Sequence, residues 1–501
     1  MDIEDDSIIE PIEPPDGELL LGRFARLPHC VLLDSAMPHP SLGRYSFLAA
    51  DPFAFIEIGR VGPGFAPVAD LAQPSTSPPP SNDPFGRLQS ALSAHRAETI
   101  DGLPPFQGGA AGVFAYELGR AVESVPAPRW DEFQTPVLAV GLYDVVVAWD
   151  HIAGRAWLVS RGFPAADRTE RRRRARQRRD QFRRWIDEAV ADCRAARGRR
   201  AGAPVGRLPF ERLCPQYPVD PPAGWPRAAG SLTSNFDRHG YLEAVGRVID
   251  RILAGDVFQV NLAQRLLLPA SDDSVALYRR LRRRNAAPFA GYFDAGGWQV
   301  LSASPERFLR VDRSRVETRP IKGTRRRTAQ ANQQREAADE LARSEKDIAE
   351  NVMIVDLLRN DLARVCRPES IRVSQLCGVE HYAKVLHLVS AVEGVLRDRL
   401  GPIDLLRAAF PGGSITGAPK IRAMEIIAEL EPTARGPYCG AMGYVGFDGA
   451  MDLNVLIRTI TAARGWWQIP VGGGVVAHSD PEAEYDETWQ KAAGTLDAVA
   501  G

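Results

Sequence analysis

The sequence predicts an α+β protein, and three observations carry that expectation. Residues 18–160 hold short β-branched and aromatic runs separated by turn residues, the chain from Phe236 onward mixes long helical stretches with buried strands, and no internal repeat interrupts that order. At 501 residues the length allows two to four domains.

The elements follow in chain order. After an acidic tail (1–17) come "HCVLLDSA", "YSFLAADPFAFIEIG" and "VLAVGLYDVVVAWDHIAGRAWLVS", the last reading as two strands joined by a turn at "HIAGR". The Pro/Ser-rich "PSTSPPPSNDPFG", Pro74 to Gly86, reads as an exposed loop. Residues 168–184 carry ten arginines, while Phe182, Trp185, Ile186, Ala189 and Val190 recur at helical spacing. That pattern predicts a helix anchored on one face, with a solvated basic face opposite rather than a nucleic-acid surface. "GRRAGAPVG" and "YPVDPPAGWPRAAG" then read as an irregular linker ending near Ser231. The divisions are 1–17, 18–164, 165–235 and 236–501, with the two large regions expected to interleave. Beyond Phe236, "HGYLEAVGRVIDRILAGDVFQVNLAQRLLLP" predicts a helix, a glycine stop and a strand. "EAADELARSEKDIAENVMIVDLLRNDLARV" predicts one long amphipathic helix, with Ile348, Val352, Val355, Leu358 and Leu362 on its apolar face.

Composition narrows the function classes. The net charge of −1 gives no electrostatic case for nucleic acid or an anionic membrane. Six cysteines (Cys30, Cys193, Cys214, Cys366, Cys377, Cys439) lack paired spacing, which argues for reduced thiols rather than a disulfide framework or zinc site. The first residues lack the basic-then-apolar order of a signal peptide, and no apolar run approaches the roughly 18 residues of a membrane span. A cytoplasmic protein is expected.

Four constellations carry chemistry. Asp347 and Glu350, and again Glu484 and Glu487, stand three apart on helical stretches, so each pair shares a face. Brought together they make an oxygen-rich site for a hard cation, magnesium rather than zinc; separately, each is ordinary surface acid. The glycines of "VGGGVVAHSD" let backbone N–H groups approach an anion, or simply make a turn. Glu306 in "SASPERF" reads as a general acid if held out of water, or as an ion-pair partner of Arg307 or Arg310. Lys322 in "ETRPIKGTRRR" is one of only five lysines (Lys322, Lys346, Lys384, Lys420, Lys491) in a chain that otherwise uses arginine. Lysine can lose its proton and become a nucleophile, with Arg319 and Arg325–Arg327 close enough in sequence to favour that; a carboxylate partner is the plainer reading.

Taken in order, "GDVFQVNLAQR", "SASPERF", "RPIKGT", "KDIAENVMIVDLLRNDLARV", "LHLVS", "DLLRAAFPGGSITGAPKIRAMEII", "CGAMGYVGF", "LNVLIRT" and "GGGVVAHSDPEAEYDETWQK" resemble the chorismate-binding domain shared by anthranilate synthase, aminodeoxychorismate synthase and the isochorismate and salicylate synthases. The resemblance spans roughly Phe236 to Ala500, and "VLLDSA" with "GRYSFLAADP" extends it into the first half. It implies two stacked antiparallel sheets with outer helices and an active site in the cleft between them. It also implies magnesium on Asp347, Glu350, Glu484 and Glu487, where Asp347 replaces the glutamate of many relatives. Within the family, anthranilate synthases read P-I-A-G-T, whereas aminodeoxychorismate synthase component I reads P-I-K-G-T, the pattern of Pro320 to Thr324.

The implied chemistry has Lys322 adding to chorismate, Glu306 protonating the departing C4 hydroxyl, and ammonia displacing Lys322 to leave 4-amino-4-deoxychorismate for the 4-aminobenzoate and folate route. Arg458 and Tyr438 match positions holding the enolpyruvyl carboxylate; Thr324, Gly473, Gly474 and Lys491 match the cradle of the ring carboxylate; and His387 matches the pocket wall. Gln259 stands where isochorismate-forming relatives carry a water-activating lysine. The implied partners are a separate glutamine amidotransferase subunit and a separate lyase. Leu33, Asp34 and Ser35 match a segment lining a tryptophan pocket. The alternatives are an anthranilate synthase component I and a non-catalytic chorismate- or tryptophan-binding regulator.

Overall fold

The apolar runs form strands, and the strands gather into two antiparallel sheets in the computed structural model, which describes residues 6–37, 42–61, 64–67, 83–195, 206–222, 232–327, 330–382 and 385–501. Residues 1–5 of the acidic tail, 74–82 of the Pro/Ser loop, most of the linker, the Cys193 side chain and Lys384 lie outside the described residues.

The first sheet runs Ile8–Ile12, Arg155–Ser160, Val145–Asp150, Tyr45–Ala49, Val31–Asp34, Phe289–Asp294, Trp298–Ser304, Thr459–Ala463, Trp466–Val475, Gln259–Pro269, Thr233–Ser234 and Tyr217–Pro218. The second runs Ile321–Arg326, Val385–Val395, Arg315–Arg319, Arg307–Asp312, Met451–Val455, Ala441–Gly446, Gly109–Phe114, Leu138–Tyr143, Ala54–Val61 and Gly64–Pro67. Both sheets mix strands from both large regions. In the first, Leu33 pairs with Gly291; in the second, Gly112 pairs with Gly443. The sheets pack face to face through aromatic contacts, Phe47 on Tyr444 at 5.6 Å and Phe55 on Phe293 at 6.4 Å between ring centroids. The helices Arg238–Leu253, Ser274–Arg284 and Pro481–Ala500 lie against the first sheet, and Ala331–Arg343 and Glu345–Ala363 against the second. No helix among the described residues is long and apolar enough to cross a membrane.

Three local expectations are corrected. The run from Leu138 makes three strands, not two, because it changes sheets at Asp144 between Leu138–Tyr143 and Val145–Asp150. Asp144 is fully buried and faces Arg178 at 3.4 Å and Arg174 at 3.6 Å. The arginine-rich helix Arg168–Ala195 is therefore not basic on its outer face alone. It buries Phe182, Ile186 and Ala189, leaves Val190 exposed, and sends Arg178 inward to Asp144 and to Asp51 at 2.6 Å.

The third correction concerns the long helix, which breaks into Ala331–Arg343 and Glu345–Ala363, leaving Val352 exposed. Ser344 stands between them in an extended conformation (φ −68°, ψ 102°), and its hydroxyl accepts from the Asp347 N–H at 3.3 Å. A serine cap satisfies a backbone donor that a continuous helix would have bonded internally. Ser344→Ala is expected to cost about 1 kcal/mol, seen as a lower urea midpoint.

Candidate active site

A short chain of contacts joins the sheets at one end. Lys322 Nζ, on the second sheet, lies 3.8 Å from Glu350 Oε2, and Gln259 Nε2, on the first, donates to the same oxygen at 3.2 Å. Glu350 comes from the helix Glu345–Ala363, so its placement depends on the Ser344 cap.

The glycines of Trp466–Val475 form the floor. A Cβ on Gly473 would sit 3.1 Å from Glu484 Oε2, 3.4 Å from Glu487 Oε1 and 3.6 Å from Lys491 Nζ, and one on Gly474 would meet Gln259 Nε2 and lie 3.5 Å from Glu350 Oε2. Three carboxylates thus crowd two adjacent residues that carry no side chain. Asp347 stands one step away, against Gly323, whose φ of +61° favours glycine and where a Cβ would lie 2.8 Å from Asp347 Cγ.

Every carboxylate in this group has a cation: Glu350 has Lys322, Glu484 has Lys346 at 3.3 Å, Glu487 has Lys491 at 2.6 Å, and Asp347 has Arg325 at 3.4 Å. Among the described residues no three acidic, histidine or cysteine groups converge as a ready-made metal site. The donor set nevertheless fits a hard cation. All four are oxygen ligands, and Glu484 Oε2 is buried without a hydrogen-bond partner, while Oε1 takes the Ser479 hydroxyl at 2.6 Å. Burial raises the Glu350 carboxyl above its usual range; burial works the same way on Glu487, but Lys491 holds it below. The lysine scarcity now has a location. Lys322, Lys346 and Lys491 all face these acids, and Lys420 is buried on Asp361 at 2.7 Å.

Glu306 sits where the chain crosses from Trp298–Ser304 in the first sheet to Arg307–Asp312 in the second. It is 4% exposed, and burial pushes its pKa up to about 7, with the Ser414 hydroxyl and Lys322 opposing. Neither neighbouring arginine pairs with it: Arg307 takes Asp452 and Glu317 at 2.9 and 2.7 Å, and Arg310 takes Asp312. The arginines near Lys322 also turn elsewhere, Arg319 to Glu380, Arg325 to Glu340 and Asp347, and Arg327 to the Tyr382 carbonyl. Among the described side chains, these neighbours therefore do not crowd the Lys322 amine with positive charge; that of Arg326 lies outside the described residues.

Thr324 Oγ1 lies 3.0 Å from His387 Nδ1. Burial, and then Arg458, lower the His387 pKa to about 3, so the ring is neutral, and its buried Nε2 has no partner. Arg458 holds a backbone φ of +51°, unusual for a residue with a side chain, and no carboxylate among the described residues pairs with it. Tyr438 is buried among Cys439, Arg435 and Glu431. Lys491 Nζ also donates to the Gly472 carbonyl at 2.9 Å.

Leu33, Asp34 and Ser35 lie apart, with three strands between theirs and Trp466–Val475. Asp34 is 2.5 Å from Arg282 and accepts from the Tyr278 hydroxyl at 3.0 Å, while Ser35 Oγ donates to the Tyr45 carbonyl at 2.6 Å. The Asp34 carboxylate and the Ser35 hydroxyl thus each have partners within the chain. Two site residues escaped the sequence reading, Lys346 and Ser414. Lysine rarity was a signal for the first, and the paired glycines of "PGGS" for the second.

Two antiparallel sheets shared by both ends of the chain, with a lysine, a buried acid and carboxylates around bare glycines at their junction, define an enzyme class rather than a binding scaffold. A family model for chorismate binding enzymes matches residues 46–497, and the chain belongs to that family. It is 43% identical over 419 residues to anthranilate synthase component 1 of Thermus thermophilus, covering 84% of this chain and 83% of the relative. It is 38% identical over 484 residues to aminodeoxychorismate synthase component 1 of Salmonella typhimurium, covering 96% and 95%. The crystal structure of anthranilate synthase component I from Streptococcus pneumoniae superposes with a TM-score of 0.71 at 27% identity, over 91% of this chain and 93% of the other.

Proposed function

We propose that this chain is the chorismate-converting component of an aminodeoxychorismate synthase. Relatives of both names match it, so residue 322 decides between them. The observation that carries the reading is Lys322 itself, whose amine reaches the cleft beside Glu350 and shares Ser414 with the buried acid Glu306.

The steps balance. The Lys322 amine, its ion-pair proton first released to solvent, forms a bond to C2 of chorismate as the ring double bond shifts, the C4–O bond breaks, and Glu306 gives its proton to the departing hydroxyl, which leaves as water. Ammonia then forms a bond to C4, the double bond shifts back, the C2–N bond to Lys322 breaks with the electron pair staying on the lysine nitrogen, and the new ammonium returns a proton to Glu306. Chorismate and ammonia become 4-amino-4-deoxychorismate and water, in two displacements instead of one difficult substitution. Asp347, Glu350, Glu484 and Glu487 would hold magnesium, which when bound neutralises the ring carboxylate and makes the ring a better electron sink. Arg458, with no carboxylate paired to it among the described residues, suits the enolpyruvyl carboxylate bidentately. Gln259, engaged with Glu350, offers no base for water, which favours ammonia as nucleophile. The ammonia would come from a glutamine amidotransferase subunit.

The test is product identity. The purified chain, given chorismate, magnesium and ammonium, is expected to yield a product that retains the enolpyruvyl group and that an added lyase converts to 4-aminobenzoate. Fluorescent anthranilate instead would assign the chain to the other branch.

A further inference from the structure

We propose that Ser414 is a positioning residue that sets the acid and the amine in one register, its hydroxyl holding a carboxyl oxygen of Glu306 and its main-chain carbonyl holding Lys322. The inference rests on the proposed roles of Lys322 and Glu306 and adds the residue that spaces them. Ser414 Oγ donates to Glu306 Oε1 at 2.6 Å, and Lys322 Nζ donates to the Ser414 carbonyl at 3.3 Å. One residue therefore touches both groups, Glu306 from the crossing between the sheets and Lys322 from the strand Ile321–Arg326.

Ser414 is itself fixed. It lies in the single turn Gly413–Ile415, where a Cβ on Gly413 would sit 2.6 Å from Leu357 Cδ2, so the turn presses directly on the helix that carries Glu350. Thr416 Oγ1 donates to the Gly412 carbonyl at 3.0 Å, and Arg435 Nη1 donates to the Ile415 carbonyl at 2.9 Å, closing the turn on its far side. A hydroxyl so held fixes the plane of the Glu306 carboxyl and hence the direction in which its proton is offered. The titratable groups facing Glu306 are Lys322, from Ile321–Arg326, and Cys439, from the turn before Ala441–Gly446. Arg307 and Arg310 face other carboxylates.

Two readouts test this. In Ser414→Ala, kcat should fall roughly 10- to 100-fold with KM changed less than about threefold, because orientation and not binding is lost. The hydroxyl favours the charged carboxylate, so its removal should move the alkaline limb of the pH profile upward by about one unit. Ser414→Thr keeps the hydroxyl and should restore both. Ser414→Cys, near in size with a weaker donor, should fall between and serves if the alanine variant does not fold. The protonated-carboxyl infrared band of Glu306, identified by its absence in Glu306→Gln, should titrate at higher pH in Ser414→Ala without any turnover. An unmoved band and an unchanged kcat would overturn the inference, as would equal losses in the alanine and threonine variants. Anthranilate as the wild-type product would overturn the Lys322 reading instead, and the infrared titration would still decide the role of Ser414.

Discussion

Replacing Lys322 with alanine is expected to lower aminodeoxychorismate formation by a factor on the order of 1,000 or more, because the route loses its nucleophile and not merely a contact. Chorismate binding, measured by equilibrium titration, should change only a few-fold, since Arg458 and the glycine floor remain in place. The variant should still possess the acid and the carboxylates. Any residual turnover is therefore expected to drift toward direct attack by ammonia and anthranilate-type product, which mass and fluorescence distinguish. Unchanged turnover would end the covalent role. Wild-type enzyme quenched during turnover should carry a mass adduct on the peptide containing Lys322, and the alanine variant should not.

Glu306→Gln is expected to lower kcat by about 100- to 10,000-fold, the usual range for loss of a general acid. The wild-type rate should fall as pH rises through about 7, where burial has placed this carboxyl, and the glutamine variant should lack that limb. Native stability should also fall with rising pH, over a lower range. A carboxyl whose pKa is raised on folding holds more protons in the native than in the unfolded state, so native stability falls as pH climbs from 4.5 to about 7 and then levels. That penalty is at most roughly 3 kcal/mol for a shift of this size. At pH 8 the glutamine variant should be the less active and the more stable protein, a pairing that calorimetry and steady-state kinetics together would reveal. An equal or lower melting temperature there would mean that Glu306 is not held as a buried acid.

Much of this site was legible because its residues lie in uninterrupted strings. The ExxE-like pairs, the glycine floor and Lys322 each announced a local geometry, and the fold brings Glu350, Glu484 and Glu487 to adjacent glycines. What escaped depended on contacts between distant segments. Asp144 reads as part of an apolar run, and nothing local says that Arg178 and Arg174 will meet it at the sheet crossing. Ser344 sits in a stretch whose periodicity continues on both sides, so the break appears only in its cap. The arginines around Lys322 suggested a positive pocket, yet Glu380, Glu340 and Asp347, from other elements, draw them off. Ser414 is an ordinary turn residue until Glu306 and Lys322, far away in the chain, arrive on either side of it.

The pairing of Gly109–Phe114 with Ala441–Gly446 has a consequence for biosynthesis. Gly109–Phe114 pairs early with Leu138–Tyr143, but its other edge finds its partner only roughly 330 residues later, an interval of tens of seconds at about 5–20 residues per second. Until then the nascent protein exposes open, apolar strand edges, the surfaces most prone to join other chains. Native contacts this distant in sequence also slow folding itself, because loop closure costs entropy before the pairing returns any stability. Expression at low temperature or with abundant holdase chaperone should therefore raise the yield of active enzyme far more than it would for a chain whose halves folded in turn.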